Sequence, residues 1–264
     1  MTDHAPDAPD GAAAPDAAAL DGSAASDAAD HTTRLEAWFR DNEPDATIIP
    51  AATVVLVRDG DAGIETLMLH KNSKLAFGGM WVFPGGRIDA EDVEGAGDAE
   101  TAAKRAAVRE SMEEAGLPVE IDDLAWFAHW TPPANAPRRF ATWFFVGPAP
   151  EGAVTIDGGE IHDSAWMRPA DALVRRDAGE VELAPPTWMS LSYLAGFPDV
   201  ASLMADAHAR TPDVYETVIV KVEAGMVAMW AGDAGYEALD ATIDGPRHRL
   251  HMSRTTWTLE RTVR

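Results

Sequence analysis

Arg109, Glu110, Glu113, Glu114 and Gly116 stand together in the run Arg-Glu-Ser-Met-Glu-Glu-Ala-Gly-Leu over 109–117. On an α-helix the offsets i, i+3 and i+4 bring Glu110, Glu113 and Glu114 to one face. Like charges so placed repel by a few tenths of a kcal/mol per pair, so a helix has no reason of its own to choose them. A hard divalent cation such as Mg²⁺ or Mn²⁺ offsets that repulsion, because it prefers carboxylate oxygens as ligands. The bland alternative is a solvated acidic face in an acidic protein. Only the surrounding residues separate the two.

Those surroundings read as strand, turn, loop, helix. The apolar run Met80-Trp81-Val82-Phe83 stops at Pro84-Gly85-Gly86, the pattern of a buried strand ending in a tight turn. Two glycines there let the backbone come close to a ligand or an ion. Ala90 to Asp98 is acidic and contains glycine, and is expected to be a loop. The helix is expected to start near Asp98 as N-cap, with Glu100 in its first turn. Ala99, Ala102, Ala103, Ala106 and Ala107 are strong helix formers. Val108, Met112 and Ala115 recur at helical spacing and are expected to face the core. Gly116 suits the left-handed position just past the helix end.

At this point the chain resembles the Nudix hydrolase family. That signature runs Gly, spacer, Glu, spacer, Arg-Glu, an apolar residue, any residue, Glu-Glu, any residue, Gly and an apolar residue. Gly86, Arg109, Glu110, Glu113, Glu114, Gly116 and Leu117 match it. The chain departs from the signature in three places. The segment from Gly86 to Arg109 is about nine residues longer than usual, tolerable if it loops out. The first Glu should lie eight residues before Arg109, where Thr101 stands, with Glu100 one residue off. Ser111 takes the apolar place. The insertion, Gly79-x-x-x-Phe83-Pro84-Gly85-Gly86, Asp89-Ala90-Glu91-Asp92 and Thr131-Pro132 ahead of Arg138-Arg139-Phe140 look most like the acyl-coenzyme A diphosphatase branch. An Arg that this branch places four residues before the Gly is Leu75 here.

The resemblance implies an α/β fold, an α/β/α sandwich around a mixed sheet, and metal-dependent hydrolysis of a nucleoside diphosphate linked to another moiety, coenzyme A or acyl-coenzyme A included. It implies Mg²⁺ or Mn²⁺ held by Glu110, Glu113, Glu114 and a backbone carbonyl of the Gly86 turn. Arg109 would orient a helical carboxylate, and Glu110 or Glu160 would take the proton of the attacking water. A late Glu ahead of a Trp often serves such sites, and Glu160 precedes Trp166. A solvent-facing strand end is the other reading of Glu160, and His162 is expected on the strand or surface. Arg138 and Arg139 suit bidentate phosphate contact, against simple pairing with surface carboxylates. Lys71 and Lys74 could reach a ligand too. Trp81, Phe83, Trp126, Trp143 and Phe144 read as core. The alternative function is a non-catalytic nucleotide sensor on the same fold, which intact carboxylates disfavour; a scaffold built on the termini rests on composition alone.

Composition sets the outer bounds. The chain has 264 residues, 46% of them hydrophobic, and a net charge of −23. That charge opposes binding to nucleic acid or an anionic membrane, although it leaves room for an anionic substrate in a pocket of Arg, Lys and metal. There is no Cys, which excludes disulfides, thiolate catalysis and cysteine zinc sites, and argues against isopentenyl diphosphate isomerase activity, which in the related isomerases relies on a Cys. No apolar run reaches spanning length and no secretory signal is visible, so a cytoplasmic enzyme is expected, with a homodimer as the assembly considered. Residues 1–31, rich in Ala, Asp and Pro, read as a disordered tail, 32–185 as the Nudix domain, and 186–264 as an extension of helix and strand packed on it. Thr33 to Asn42 reads as a short packed helix. Ala46–Arg58 and Glu65–His70 read as a hairpin, and Leu124–Thr131 and Arg139–Val146 as a second strand pair. Glu160–Met167 reads as a strand and Pro169–Arg175 as a helix. Ala184-Pro185-Pro186 reads as a chain break, Thr187–Arg210 as helical with an interruption near Gly196-Phe197-Pro198, and the remainder as strands.

Overall fold

Val54 and Leu56 belong to one apolar cluster, and Val55 and Val57 to another. They alternate along the first strand, β1 (Ile48–Gly60), so both its faces are buried, as in a sheet covered on two sides. In this computed structural model, which describes residues 47–72, 78–136 and 138–262, β1 is the hub of an eight-stranded mixed sheet. The expected tail, the helix over 33–42, Lys74 and Leu75 lie outside the described residues.

β1 turns through Asp61 and Ala62 into β2 (Gly63–Lys71), with Gly60 opposite Gly63, which has φ 111. This is the expected hairpin. On its other side β1 pairs in parallel with β6 (Arg139–Pro148), which runs antiparallel to β5 (Ala125–Thr131). The short β3 (Trp81–Val82) extends the edge beyond β2, and β7 (Ile161–Met167) also pairs with β2. β4 (Gly85–Arg87) pairs antiparallel with β1 and brings the glycine turn against Ala52 and Thr53.

Residues 90–98 are not simply a loop. They open with a short helix, α1 (Ala90–Val93), before α2 (Ala99–Ala115) begins. Asp98 caps α2 as expected, accepting from the Thr101 N–H at 2.7 Å, and Gly116 ends it at φ 67. The core face of α2 is Ala102, Ala103, Ala106, Ala107, Ser111, Glu114 and Ala115. The expectation for Met112 was wrong: it is 55% exposed. The small alanines let α2 pack close on β1, and that rotation points the carboxylates, not Met112, at the glycine turn. Ser111, at the place the family fills with an apolar residue, is buried because its hydroxyl donates to the Leu117 carbonyl at 3.0 Å.

The opposite face of the sheet is covered by α3 (Pro169–Asp177), α4 (Pro185–Leu194) and α5 (Val200–Ala209). Pro185 and Pro186 open α4 as well as interrupting the chain, since a first helical turn has no use for their missing N–H groups. β8 (Asp213–Glu216) then joins the main sheet beside β5. A second antiparallel sheet follows, from β9 (Val218–Val222), β10 (Gly225–Met229), β11 (His248–Ser253) and β12 (Trp257–Arg261). Between β10 and β11 runs an irregular segment held by a buried pair. Asp233 accepts from Arg249 at 2.7 and 2.5 Å, and from the N–H groups of Gly235 and His248 at 2.8 and 2.9 Å.

Candidate active site

Gly86 makes the site possible. A Cβ at this position would collide with the Glu110 carboxylate, and one at Gly85 would collide with Thr53 and the Ala52 carbonyl. The two glycines thus let β4 lie between β1 and the acidic end of α2. The Gly85 N–H donates to Glu114 at 2.9 Å.

The helical repeat delivers three carboxylates to this turn in three environments. The Glu114 side chain is 6% exposed, Glu110 14% and Glu113 58%. Burial pushes the Glu114 carboxyl up to about 7, against the pull of Lys71 and the Gly85 N–H. Burial also raises Glu110, opposed by its hydrogen bond from Arg109.

Arg109 organises the acidic face. It donates to Glu110 at 2.8 Å, to Glu113 at 3.1 Å and to the Arg87 carbonyl at 2.9 Å. Its remaining donors meet Asp92 at 3.3 and 3.0 Å, a two-pronged contact with a buried carboxylate on α1. Neither Thr101 nor Glu100 fills that place, since Glu100 pairs with Lys104 on the outer face of α2. Counting back from Arg109 missed Asp92 because the extra residues fall between Asp92 and the helix. Counting forward six residues from Gly86, the usual distance once the insertion is set aside, lands on it. Arg105 secures the inserted turn to α2 through the carbonyls of Glu94 at 2.7 Å and Gly95 at 3.3 Å.

Opposite this face, Lys71 at the end of β2 lies 3.3 Å from Glu114 and 3.6 Å from Glu160. Asp157 secures Glu160 by accepting the N–H groups of Glu160 and Ile161, each at 2.9 Å. Burial pushes the Asp157 carboxyl up, but these N–H groups outweigh it and leave it lowered. Nothing in the residue pattern singled out Asp157.

A cavity of about 690 Å³ gathers these groups: Lys71, Gly86, Arg109, Glu110, Glu113, Glu114, Arg138 and Glu160, with Asp89 and Asp157 at its wall. Arg139 lies outside that lining, with its guanidinium 3.3 Å from the Pro132 carbonyl. His162 is exposed beside His70, the rings 4.2 Å apart. Trp81, Phe83 and Phe144 are buried, while Trp126 and Trp143 are half-buried against the cluster under α2.

The donor set suits a hard divalent cation. It is all oxygen, two of its carboxyls are raised by burial, and the glycine turn brings backbone up to Glu110. Among the described residues no three acidic or His side chains are gathered into a ready metal cluster. Arg109 and Lys71 occupy the carboxylates instead.

A family model described as the NUDIX domain matches residues 48–186. Among solved structures the chain is similar to a NUDIX hydrolase from Alicyclobacillus acidocaldarius, with TM-score 0.57 and 24% identity over 63% of this chain and 99% of that one. It is also similar to the NUDIX domain of Shewanella oneidensis NrtR complexed with ADP ribose, at TM-score 0.43 and 17% identity over 60% and 94% of the two chains. A C. elegans Ap4A hydrolase aligns at TM-score 0.38 and 23% identity over 56% and 99%. At 24% identity the first of these likenesses is one of fold. No curated protein matches the chain.

Proposed function

The chain belongs to the Nudix family of hydrolases, which act on diphosphate bonds, and from that premise we propose a metal-dependent pyrophosphohydrolase that cleaves a nucleoside diphosphate linked to another moiety. Coenzyme A and its acyl thioesters are one substrate class to test. One observation carries the reading: Glu110, Glu113, Glu114, Glu160, Arg138 and Lys71 line a single cavity beside the glycine turn.

Glu110, Glu113, Glu114 and a carbonyl of the Gly86 turn would hold Mg²⁺ or Mn²⁺. Such an ion supplies polarisation of a phosphoryl oxygen and neutralisation of the departing phosphate. The protein's own groups do the rest. Arg138, which is exposed, and Lys71 both line the cavity and bind phosphate oxygens. Arg109, braced by Asp92, keeps Glu110 and Glu113 turned toward the cavity. Glu160, exposed and held through Asp157, receives the proton of the attacking water, with Glu110 as the other candidate.

The test is Glu113→Gln and Glu114→Gln, each checked for folding by circular dichroism. Both are assayed with Mg²⁺ or Mn²⁺ on coenzyme A, dinucleotides, nucleotide sugars and nucleoside triphosphates. Loss of turnover in both supports the assignment. Full metal-dependent product release by both folded variants overturns it.

A further inference from the structure

Beside the carboxylate cavity lies a second one of about 220 Å³. The two share Lys71, Gly85, Gly86, Arg138 and Phe140, so one molecule can reach from one into the other. Their linings differ in kind. The first holds carboxylates from three parts of the chain; the second holds none among the described residues, and is walled by Val82, Phe83, Trp130, Phe144 and prolines. Part of its wall comes from beyond the segment that matches the family: Thr187 in α4, Thr217 just before β9, and Ile219 within it.

We propose that this cavity seats the moiety linked to the diphosphate, that the moiety is a hydrocarbon group and not a second nucleoside, and that the C-terminal extension limits its length. This rests on the acidic cavity being where the diphosphate is cleaved.

A buried nucleoside brings ring nitrogens, exocyclic groups and ribose hydroxyls, each of which gives up water and needs a partner. Among the described residues, the polar side chains of the wall beyond the shared rim are four threonines and Trp130. Two of those hydroxyls already have partners: Thr142 donates to the Phe140 carbonyl at 3.1 Å, and Thr217 accepts from Trp230 Nε1 at 3.1 Å. Trp130 Nε1 is sealed within the protein, so it offers nothing to a ligand in the cavity. With no amide, carboxylate or further charged side chain beyond the rim among the described residues, the wall suits an apolar group better than a base with several polar atoms. The extension also braces the Trp130 wall. Tyr215 stacks on Trp130 with ring centroids 3.8 Å apart, and Trp230 meets it edge-on at 5.6 Å. On size, an apolar cavity of about 150 Å³ accepts benzene, so this one takes a group of about nine carbons on the same scale.

The probes are adenosine 5′-diphosphate alkyl esters from methyl to dodecyl, compared with diadenosine diphosphate, in the presence of Mg²⁺ or Mn²⁺. Each added methylene should raise kcat/KM about three- to fourfold until the cavity fills, near nine carbons, with the dinucleotide well below the longer esters. Ile219→Phe should move the plateau to shorter chains and Ile219→Ala to longer ones, in variants whose thermal midpoints show them folded. A flat series, a preference for the dinucleotide, or a plateau that neither variant moves overturns the proposal. Calorimetric binding of the same chains as methylenediphosphonate analogues separates the two levels of inference. Chain-dependent affinity without turnover of any ester upholds the apolar seat and sinks the hydrolase reading. Chain-independent affinity, or none, overturns the apolar seat itself.

Discussion

Glu114→Gln should make the metal-free protein more stable at alkaline pH while destroying its response to metal. The Glu114 carboxyl, ordinarily near 4.5, is pushed up to about 7 by burial. A folded-state value above the unfolded one means that folding favours the protonated form. The stability linked to this group is therefore complete below pH 4.5, is lost as pH rises from there through about 7, and is constant above. At 1.36 kcal/mol per pH unit, the gap between 4.5 and about 7 amounts to about 3 kcal/mol. Glutamine removes that ionisation cost and keeps an oxygen for the Gly85 N–H at 2.9 Å. It also strips Lys71 of its nearer partner, leaving Glu160 at 3.6 Å. The net gain at pH 8 is then about 1–2 kcal/mol, on the order of 5 °C in thermal midpoint. The assay is thermal unfolding of metal-stripped wild type and variant at pH 5 and pH 8, with and without Mg²⁺. The difference between the proteins should open between the two pH values, whatever the net charge does to both. Mg²⁺ should raise the wild-type midpoint at pH 8 and leave the variant where it was. A variant less stable than wild type at pH 8, or one shifted equally by Mg²⁺, refutes the account of Glu114 as a strained metal ligand.

Three further outcomes follow from contacts in and around the site. Asp92→Ala leaves Arg109 without its two-pronged partner, and should cost about 1.5–3 kcal/mol in urea unfolding together with most of the turnover; Asp92→Glu should restore part of both. Gly86→Ala places a methyl group against the Glu110 carboxylate, and should cost about 1–3 kcal/mol and displace Glu110, read as a weakened metal-induced rise in thermal midpoint. Asp233→Ala leaves Arg249 charged and buried, and should cost about 3–5 kcal/mol by urea unfolding at neutral pH. Burial pushes the Asp233 carboxyl up, but Arg249 and two backbone N–H groups outweigh it and hold it down to about 2, so this pair's contribution is present above the ordinary carboxylate range and fades as pH falls through about 2.

By itself the residue pattern determined what depends on short-range geometry. Asp98 and Gly116 mark the ends of α2 because an N-cap oxygen and a left-handed glycine are local requirements. The spacing of Glu110, Glu113 and Glu114 follows from the helical repeat, and the β1–β2 hairpin follows from its turn residues. These, with the Arg-Glu-x-x-Glu-Glu-x-Gly run, carried the family and the position of the acidic cavity. Only the tertiary structure decided which carboxylate is buried, since that depends on how α2 is rotated against β1, and the alanines, not Met112, proved to be its inner face. It alone paired Arg109 with Asp92, 17 residues earlier, because the length of an inserted loop does not say where it folds. Lys71 meets Glu114 and Glu160 through the pairing of β2 with β7 and the packing of α2 on β1. The apolar cavity joins strands of the family domain to α4 and the start of the second sheet, segments with no pattern in common. Interactions along one helix are written in its repeat; contacts between distant segments depend on strand register and packing of the whole chain.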